Sequence, residues 1–207
     1  MSKEIFVLGP SHIHCSQTRI IKDKIDNGIL FSNCILDAYC GLPNWSKRIL
    51  DQLHKNSHRN LVWIVSDYKF NNFDYDRIKD IVSKNELFLD TVGCPGNVDK
   101  NFLEQHHIET LGNHSLNVID YIISIFPDIK LIFWCLYKRT KVNKNSSYPK
   151  YLWYDSIKEK YTNNIIDIDK FTNPDDFSKM ILDEGGHPNQ QGYVLLNDII
   201  KSAFINR

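Results

Sequence analysis

The sequence predicts a single-domain, doubly wound α/β fold, a flavodoxin-like three-layer sandwich whose mostly parallel sheet has about five strands. Three observations predict it. Short continuous apolar runs, typical of strands buried on both faces, alternate with stretches whose apolar residues recur at helical spacing. Two of those runs, Ile5 to Leu8 and Leu61 to Val65, are uninterrupted. The first run leads directly into Gly9-Pro10-Ser11, which puts a hydroxyl at the carboxyl end of a strand, where open α/β sheets bind their ligands.

The elements follow in order. After the first strand, Thr18 to Ile25 carries apolar residues at 20, 21 and 25, a helical pattern stopped by Asn27-Gly28. Cys34 to Ala38 reads as the second strand, and Trp45 to Leu53 as a helix with Trp45, Ile49, Leu50 and Leu53 on one face. Leu61 to Val65 is the third strand; a polar loop over Ser66 to Asn72 and a helical stretch with Ile78, Ile81 and Val82 come next. Asp90 to Gly112 has three internal glycines and prolines at 93, 95 and 96 and little periodicity, so it reads as loop with one short helix around Leu103.

The second half repeats the alternation. Leu116 to Phe126 is apolar at 116, 119, 122, 123 and 126, a helix that Pro127 ends. Ile129 to Leu136 reads as a central strand, Lys138 to Lys150 as a basic polar loop, and Tyr151 to Tyr161 as a helix with aromatics at 151, 153 and 154. Asn164 to Ile168 is the last strand expected; after a further loop, Gln190 to Phe204 forms the closing amphipathic helix.

Composition sets the bounds. A chain of 207 residues that is 42% hydrophobic and 12% aromatic can bury one good core, and residues 1–207 are therefore expected to form one domain. Twenty-five basic and 25 acidic residues cancel, which gives no electrostatic reason to expect nucleic acid or an anionic membrane as partner. The amino-terminal apolar run is too short for a signal core or a spanning helix, so no membrane span and a cytoplasmic location are expected. Five cysteines at 15, 34, 40, 94 and 135 form neither a paired framework nor a Cys-x-x-Cys site and read as reduced thiols. His12, His14, His106, His107 and His114 lack the helical spacing or partner carboxylate of a zinc site, so no metal is expected.

The chemistry lies at the two ends of the chain. Ser11 follows the first strand, and His187 stands in Glu184-Gly185-Gly186-His187-Pro188-Asn189-Gln190-Gln191-Gly192-Tyr193, a glycine- and proline-rich turn before the closing helix. A serine hydroxyl needs a base to become nucleophilic, and an imidazole with a pKa near ~6.5 can take its proton and return it to a leaving group. A carboxylate is needed to orient the imidazole; Asp183 and Glu184 both lie close enough in the turn to serve. His12, beside the nucleophile, is a candidate for contacting substrate or shaping the pocket, with simple exposure on a turn as the plainer reading.

These two segments resemble the first and last sequence blocks of the SGNH (GDSL-like) hydrolase superfamily. In that family a serine follows the first strand and an acid-x-x-His-Pro-Asn-x-x-Gly turn closes the chain. Here Gly-Asp-Ser reads Gly9-Pro10-Ser11, and the acid three residues before the histidine is Glu184 in place of aspartate. The resemblance implies Glu184 as the orienting acid, with Asp183 as its alternative. It further implies oxyanion donors at Gly41, after the second strand, and at Asn71 within Ser66-Asp67-Tyr68-Lys69-Phe70-Asn71-Asn72, slightly ahead of Asn72.

The chain also resembles small members of this superfamily associated with bacterial surface polysaccharide, which implies O-acetylation chemistry on a capsule-type polysaccharide or its precursor. Aromatic residues near the expected loops, Tyr39, Trp45, Tyr68, Phe70, Tyr148, Tyr151, Trp153 and Tyr154, suit sugar rings, although such residues are more often core. The expected function is therefore a carbohydrate O-acetyltransferase, with no bound cofactor and acetyl-CoA as a possible donor. Two readings stand beside it: a carbohydrate esterase of the same fold, and a non-catalytic carbohydrate-binding or scaffold protein, favoured by the altered first and third blocks. The sequence leaves the oligomeric state open.

Overall fold

The computed structural model describes residues 4–13, 31–39, 44–65, 84, 86–88, 108–137, 153–182 and 186–205. Its sheet has four parallel strands, β1 (Ile5–Gly9), β2 (Cys34–Ala38), β3 (Asn60–Ile64) and β4 (Lys130–Ile132), in the order β2-β1-β3-β4. The chain steps outward from β1 to β2 and then returns across β1 to β3. That reversal makes the carboxyl end of β1 a topological switch point, the place where a doubly wound sheet opens a crevice.

Strand alternation divides the core in two. Phe6, Leu8, Leu61, Trp63, Leu131 and Phe133 face one side, where they pack with Ile49 and Leu53 of α1 (Lys47–Lys55) and Val118, Ile119 and Ile122 of α2 (Ile108–Ile125). Ile5, Val7, Val62, Ile64 and Ile132 face the other side. There they meet Trp134 and Tyr137 of α3 (Trp134–Tyr137), Phe177 of α5 (Pro174–Lys179) and Tyr193, Leu196, Ile199 and Ile200 of α6 (Gln190–Ile205). Helix α4 (Trp153–Lys160) adds Tyr154 and Ile157 to the first side. The period of two in the strands thus produces the three layers directly.

The structure departs from the sequence expectations at four places. The strand expected over Ile129 to Leu136 is only Lys130–Ile132, because the chain coils from Trp134 and brings the rings of Trp134 and Tyr137 to 4.8 and 4.6 Å from that of Phe177. A short apolar run does not by periodicity separate strand from helix. The fifth strand, expected over Asn164 to Ile168, is a single parallel bridge of Ile165 to Leu131. Asp167 then caps a 3-10 turn (Ile168–Lys170) by accepting from the Asp169 N–H at 3.3 Å, which turns the chain off the sheet.

Helix α2 begins at Ile108, inside the stretch expected as loop, and includes Gly112. A glycine costs a helix only ~1 kcal/mol, which the buried face formed by Val118, Ile119 and Ile122 readily offsets. Helix α5 was expected as loop. Asn173 accepts from the Asp176 N–H at 3.0 Å and Pro174 occupies the first turn, a start signal in plain view in the sequence. The expected elements over 18–25 and 66–82 and the loop over 138–150 lie outside the described residues.

Candidate active site

Ser11 is placed by what surrounds it in the chain. Beyond β1 the backbone turns at Pro10 and residues 11–13 are helical, with the Ile13 N–H donating to the Pro10 carbonyl at 3.0 Å. His12 and Ile13 are both buried. With its two successors anchored inward, Ser11 is left half-buried at the rim of the sheet, within reach of a ligand.

The His187 segment is held from several sides. Ile181 and Pro188 form an antiparallel bridge, the Leu182 N–H donates to the His187 carbonyl at 2.7 Å, and the Asn189 N–H donates to the Met180 carbonyl at 2.9 Å. Gly186 has φ of 81°, a left-handed conformation natural to glycine, and its carbonyl accepts the Trp134 indole N–H at 3.0 Å in a buried contact.

The Asn-x-x-Gly spacing has a geometric reason here. Asn189 Oδ1 accepts the Gly192 N–H at 3.1 Å, capping α6, while its Nδ2 donates to the Lys179 carbonyl at 2.6 Å. A Cβ on residue 192 would lie 2.5 Å from the Met180 carbonyl oxygen, so glycine lets α6 close against the preceding turn.

These two constructions converge. Ser11 Oγ lies 3.0 Å from His187 Nε2, although 176 residues separate them. The His12 ring stacks on the His187 ring with centroids 4.8 Å apart and an interplanar angle of 26°. The Tyr193 hydroxyl, one turn into α6, donates to the His12 carbonyl at 2.8 Å. The Ser11 and His187 segments are therefore tied at three points.

Of the other expected site residues, Asp183, Glu184, Gly41 and Asn71 lie outside the described residues. His12 departs from the plainer expectation of exposure: its side chain is buried under His187. The sugar-stacking aromatics also read differently in the fold. Tyr39, Trp45 and Tyr154 are core residues, and Tyr39 is fixed by donating to the Ile64 carbonyl at 2.8 Å while accepting from Trp63 Nε1 at 3.0 Å. Trp134 and Tyr193, which help position the pair, were given no role in the sequence, whereas Asn189 was legible as the asparagine of the His-Pro-Asn-x-x-Gly turn.

His114 sits edge-on to Trp45, with ring centroids 5.5 Å apart, and burial lowers its pKa from 6.5. Among the described residues, no cluster of three or more His, Cys, Asp or Glu side chains is placed to hold a metal ion. No described helix is long and apolar enough to cross a membrane.

The four-stranded parallel sheet with helices on both faces is a fold shared with a solved structure from the G-D-S-L family. The chain is similar to the crystal structure of a member of the lipolytic protein G-D-S-L family from Veillonella parvula, with a TM-score of 0.50 and 10% identity over 98% of each chain. A protein from Parabacteroides merdae described as a GDSL-like lipase aligns over 98% of this chain and 96% of its own, at 11% identity and a TM-score of 0.45. At such identities the likeness is one of fold. No family model and no curated protein sequence matches the chain.

Proposed function

We propose that this protein is a serine-nucleophile acyl-ester enzyme in which Ser11 attacks and His187 is the base. The observation that carries the reading is the 3.0 Å contact between Ser11 Oγ and His187 Nε2 at the switch point of the sheet. A hydroxyl donating to Nε2 is the ground state that such a reaction requires. As Oγ bonds to the acyl carbon, its proton passes to Nε2; the bond from the acyl carbon to the leaving group, C–O in an ester or C–S in acetyl-CoA, then breaks and the departing oxygen or sulfur takes that proton. Water or a second hydroxyl attacks the acyl-serine by the same route in reverse, which releases the acyl group and restores Ser11.

The remaining roles follow the sequence resemblance. Glu184, or Asp183 in its place, orients His187 through the other ring nitrogen. The Ser11 N–H, at the start of a helical turn and so without an intrahelical acceptor, joins Gly41 and Asn71 as oxyanion donors, each such donor contributing ~3 kcal/mol to the transition state.

The substrate class we assign is the carbohydrate O-acetyl group, with O-acetyl transfer to a surface polysaccharide or its precursor as the reaction and acetyl-CoA as donor. This assignment rests on the sequence resemblance, since Tyr39, Trp45 and Tyr154 belong to the core and offer no open stacking surface.

The test has two arms. The protein is treated with p-nitrophenyl acetate and a covalent serine reagent, and the adduct is located by mass spectrometry; labelling at Ser11 is expected. Acetyl-CoA consumption is then followed with and without an oligosaccharide acceptor, beside acetate release from an acetylated oligosaccharide. Acceptor-dependent consumption identifies the transferase, and acetate release alone the esterase. An unlabelled Ser11 with background ester hydrolysis overturns the catalytic reading and leaves the carbohydrate-binding one.

A further inference from the structure

The reaction just described accounts for the edge of the His187 ring only. Nε2 points at Ser11, but a face of the imidazole is covered by a second imidazole, that of His12, at a centroid distance of 4.8 Å and an interplanar angle of 26°. His12 is 1% exposed, so it cannot reach a substrate as a surface group would. It is also immobilised, because its carbonyl accepts the Tyr193 hydroxyl at 2.8 Å and its successor Ile13 is fully buried.

Resting on the proposed roles of Ser11 and His187, we infer that His12 is a positioning residue that acts through His187. Its ring face fixes the plane in which His187 meets Ser11 and lies against the positive charge that His187 acquires when the serine proton arrives. Two physical arguments carry this. Hydrogen bonds at the ring nitrogens lie in the ring plane and still allow the imidazole to rotate about the axis through them, and a misplacement of ~1 Å costs a reaction ~10²-fold. A flat ring packed face to face removes that rotation. Moreover, an aromatic face attracts a cation, and the attraction is larger where water is excluded, so the stack favours the state in which His187 is protonated over the resting state.

Tyr193 completes the device. It belongs to the same helical segment that follows His187, and its hydroxyl grips the residue that follows Ser11. The two halves of the site thus hold each other at a fixed spacing through His12, with the ring stack on one side of that residue and its carbonyl on the other.

The inference separates His12→Phe from His12→Leu. Both side chains are apolar and fill the buried site, yet only phenylalanine presents a ring face to His187. The rate of Ser11 acylation and the steady-state constants are measured for both with p-nitrophenyl acetate, together with thermal melting. We expect His12→Leu to lower kcat and the acylation rate ~10- to 100-fold with KM within about twofold of wild type. His12→Phe should recover the rate to within about fivefold of wild type at a melting temperature similar to that of the leucine variant. Tyr193→Phe keeps the ring and loses the tether, and a drop in kcat of about threefold to tenfold is expected, again at constant KM.

Equal rates for His12→Leu and His12→Phe, whether both high or both low, overturn the role of the ring face. A loss carried in KM overturns it as well, because it would make His12 a substrate contact. If either His12 variant fails to fold, the Tyr193→Phe result decides alone, and unchanged kcat there is the overturning outcome. Failure of the underlying reading is distinguishable, since it leaves Ser11 unlabelled in the wild-type protein.

Discussion

The two sides of the sheet are closed in different ways. On the side lined by Phe6, Trp63 and Phe133, the polar contacts that lock the core join residues at modest separations in the chain: Trp63 to Tyr39, Tyr39 to Ile64, and Asn164 to the carbonyls of Pro127 and Ile129. On the side lined by Val7, Ile64 and Trp134, shorter links such as Trp134 to Gly186 are joined by three that connect the two ends. Tyr193 reaches His12, Asn197 Oδ1 accepts the Phe31 N–H at 2.8 Å, and His187 meets Ser11, each across more than 160 residues. The first side is a scaffold that local segments build; the second brings remote segments into register, and the candidate site is part of that closure.

If this division of labour holds, changes on the second side should act on rate and changes on the first on stability. The largest effect belongs to the pair itself. Ser11→Ala and His187→Ala should each lower kcat by ~10³-fold or more, and the double variant should be scarcely worse than either, since the two act as one unit. Steady-state kinetics on all three proteins checks this, and simple additivity would contradict a shared role.

On the scaffold side, Ile122→Ala empties a fully buried position and should cost ~2–5 kcal/mol in urea unfolding, with kcat of the folded protein within about twofold of wild type. Returning to the site side, Trp134→Phe removes the donor to the Gly186 carbonyl. It should cost ~1–3 kcal/mol of stability and, unlike Ile122→Ala, also slow the reaction about tenfold by loosening the His187 turn. A rate as high as that of the isoleucine variant would break the comparison.

A smaller effect separates the sides by pH. Burial lowers the His114 pKa from 6.5, so the unfolded chain takes up a proton near pH 6.5 that the folded chain accepts only at lower pH. Its contribution to stability is therefore complete above about pH 6.5 and is lost as the pH falls from there through the folded value. Melting curves at pH 7.5 and pH 5.5 should show the loss, and His114→Phe should reduce the slope. The smallest effect is at Cys34, whose thiol burial pushes up to about 11 while Lys201 opposes the shift; it should react with a thiol reagent at pH 8 far more slowly than a model thiol.

Much of this was legible in the sequence where one local rule decided the outcome. Ile5 to Leu8 had to be a buried strand and Cys34 to Ala38 was legible as a strand, here a half-buried one at the sheet edge; the strand-to-turn setting of Ser11 and the turn around His187 marked both ends of the candidate site. What escaped was decided by partners far along the chain. Trp134 looked like strand because Ile129 to Leu136 is apolar at every position but Lys130, and only the ring of Phe177 and the Gly186 carbonyl give it a reason to turn. His12 reads as a candidate for contacting substrate or shaping the pocket, or else as an exposed turn residue, because nothing near it in sequence shows that His187 and Tyr193 will cover it.

The separation of 176 residues between Ser11 and His187 also sets an order of events during synthesis. A ribosome that has translated β1 to β4 has made the proposed nucleophile and its strand, yet not His187, the proposed acceptor of its proton. That nascent sheet is chemically silent. On the proposed roles, ester chemistry by this pair can start only when His187 has left the exit tunnel and come within reach of Ser11, so the late step that adds Tyr193 to the second core would also arm the serine.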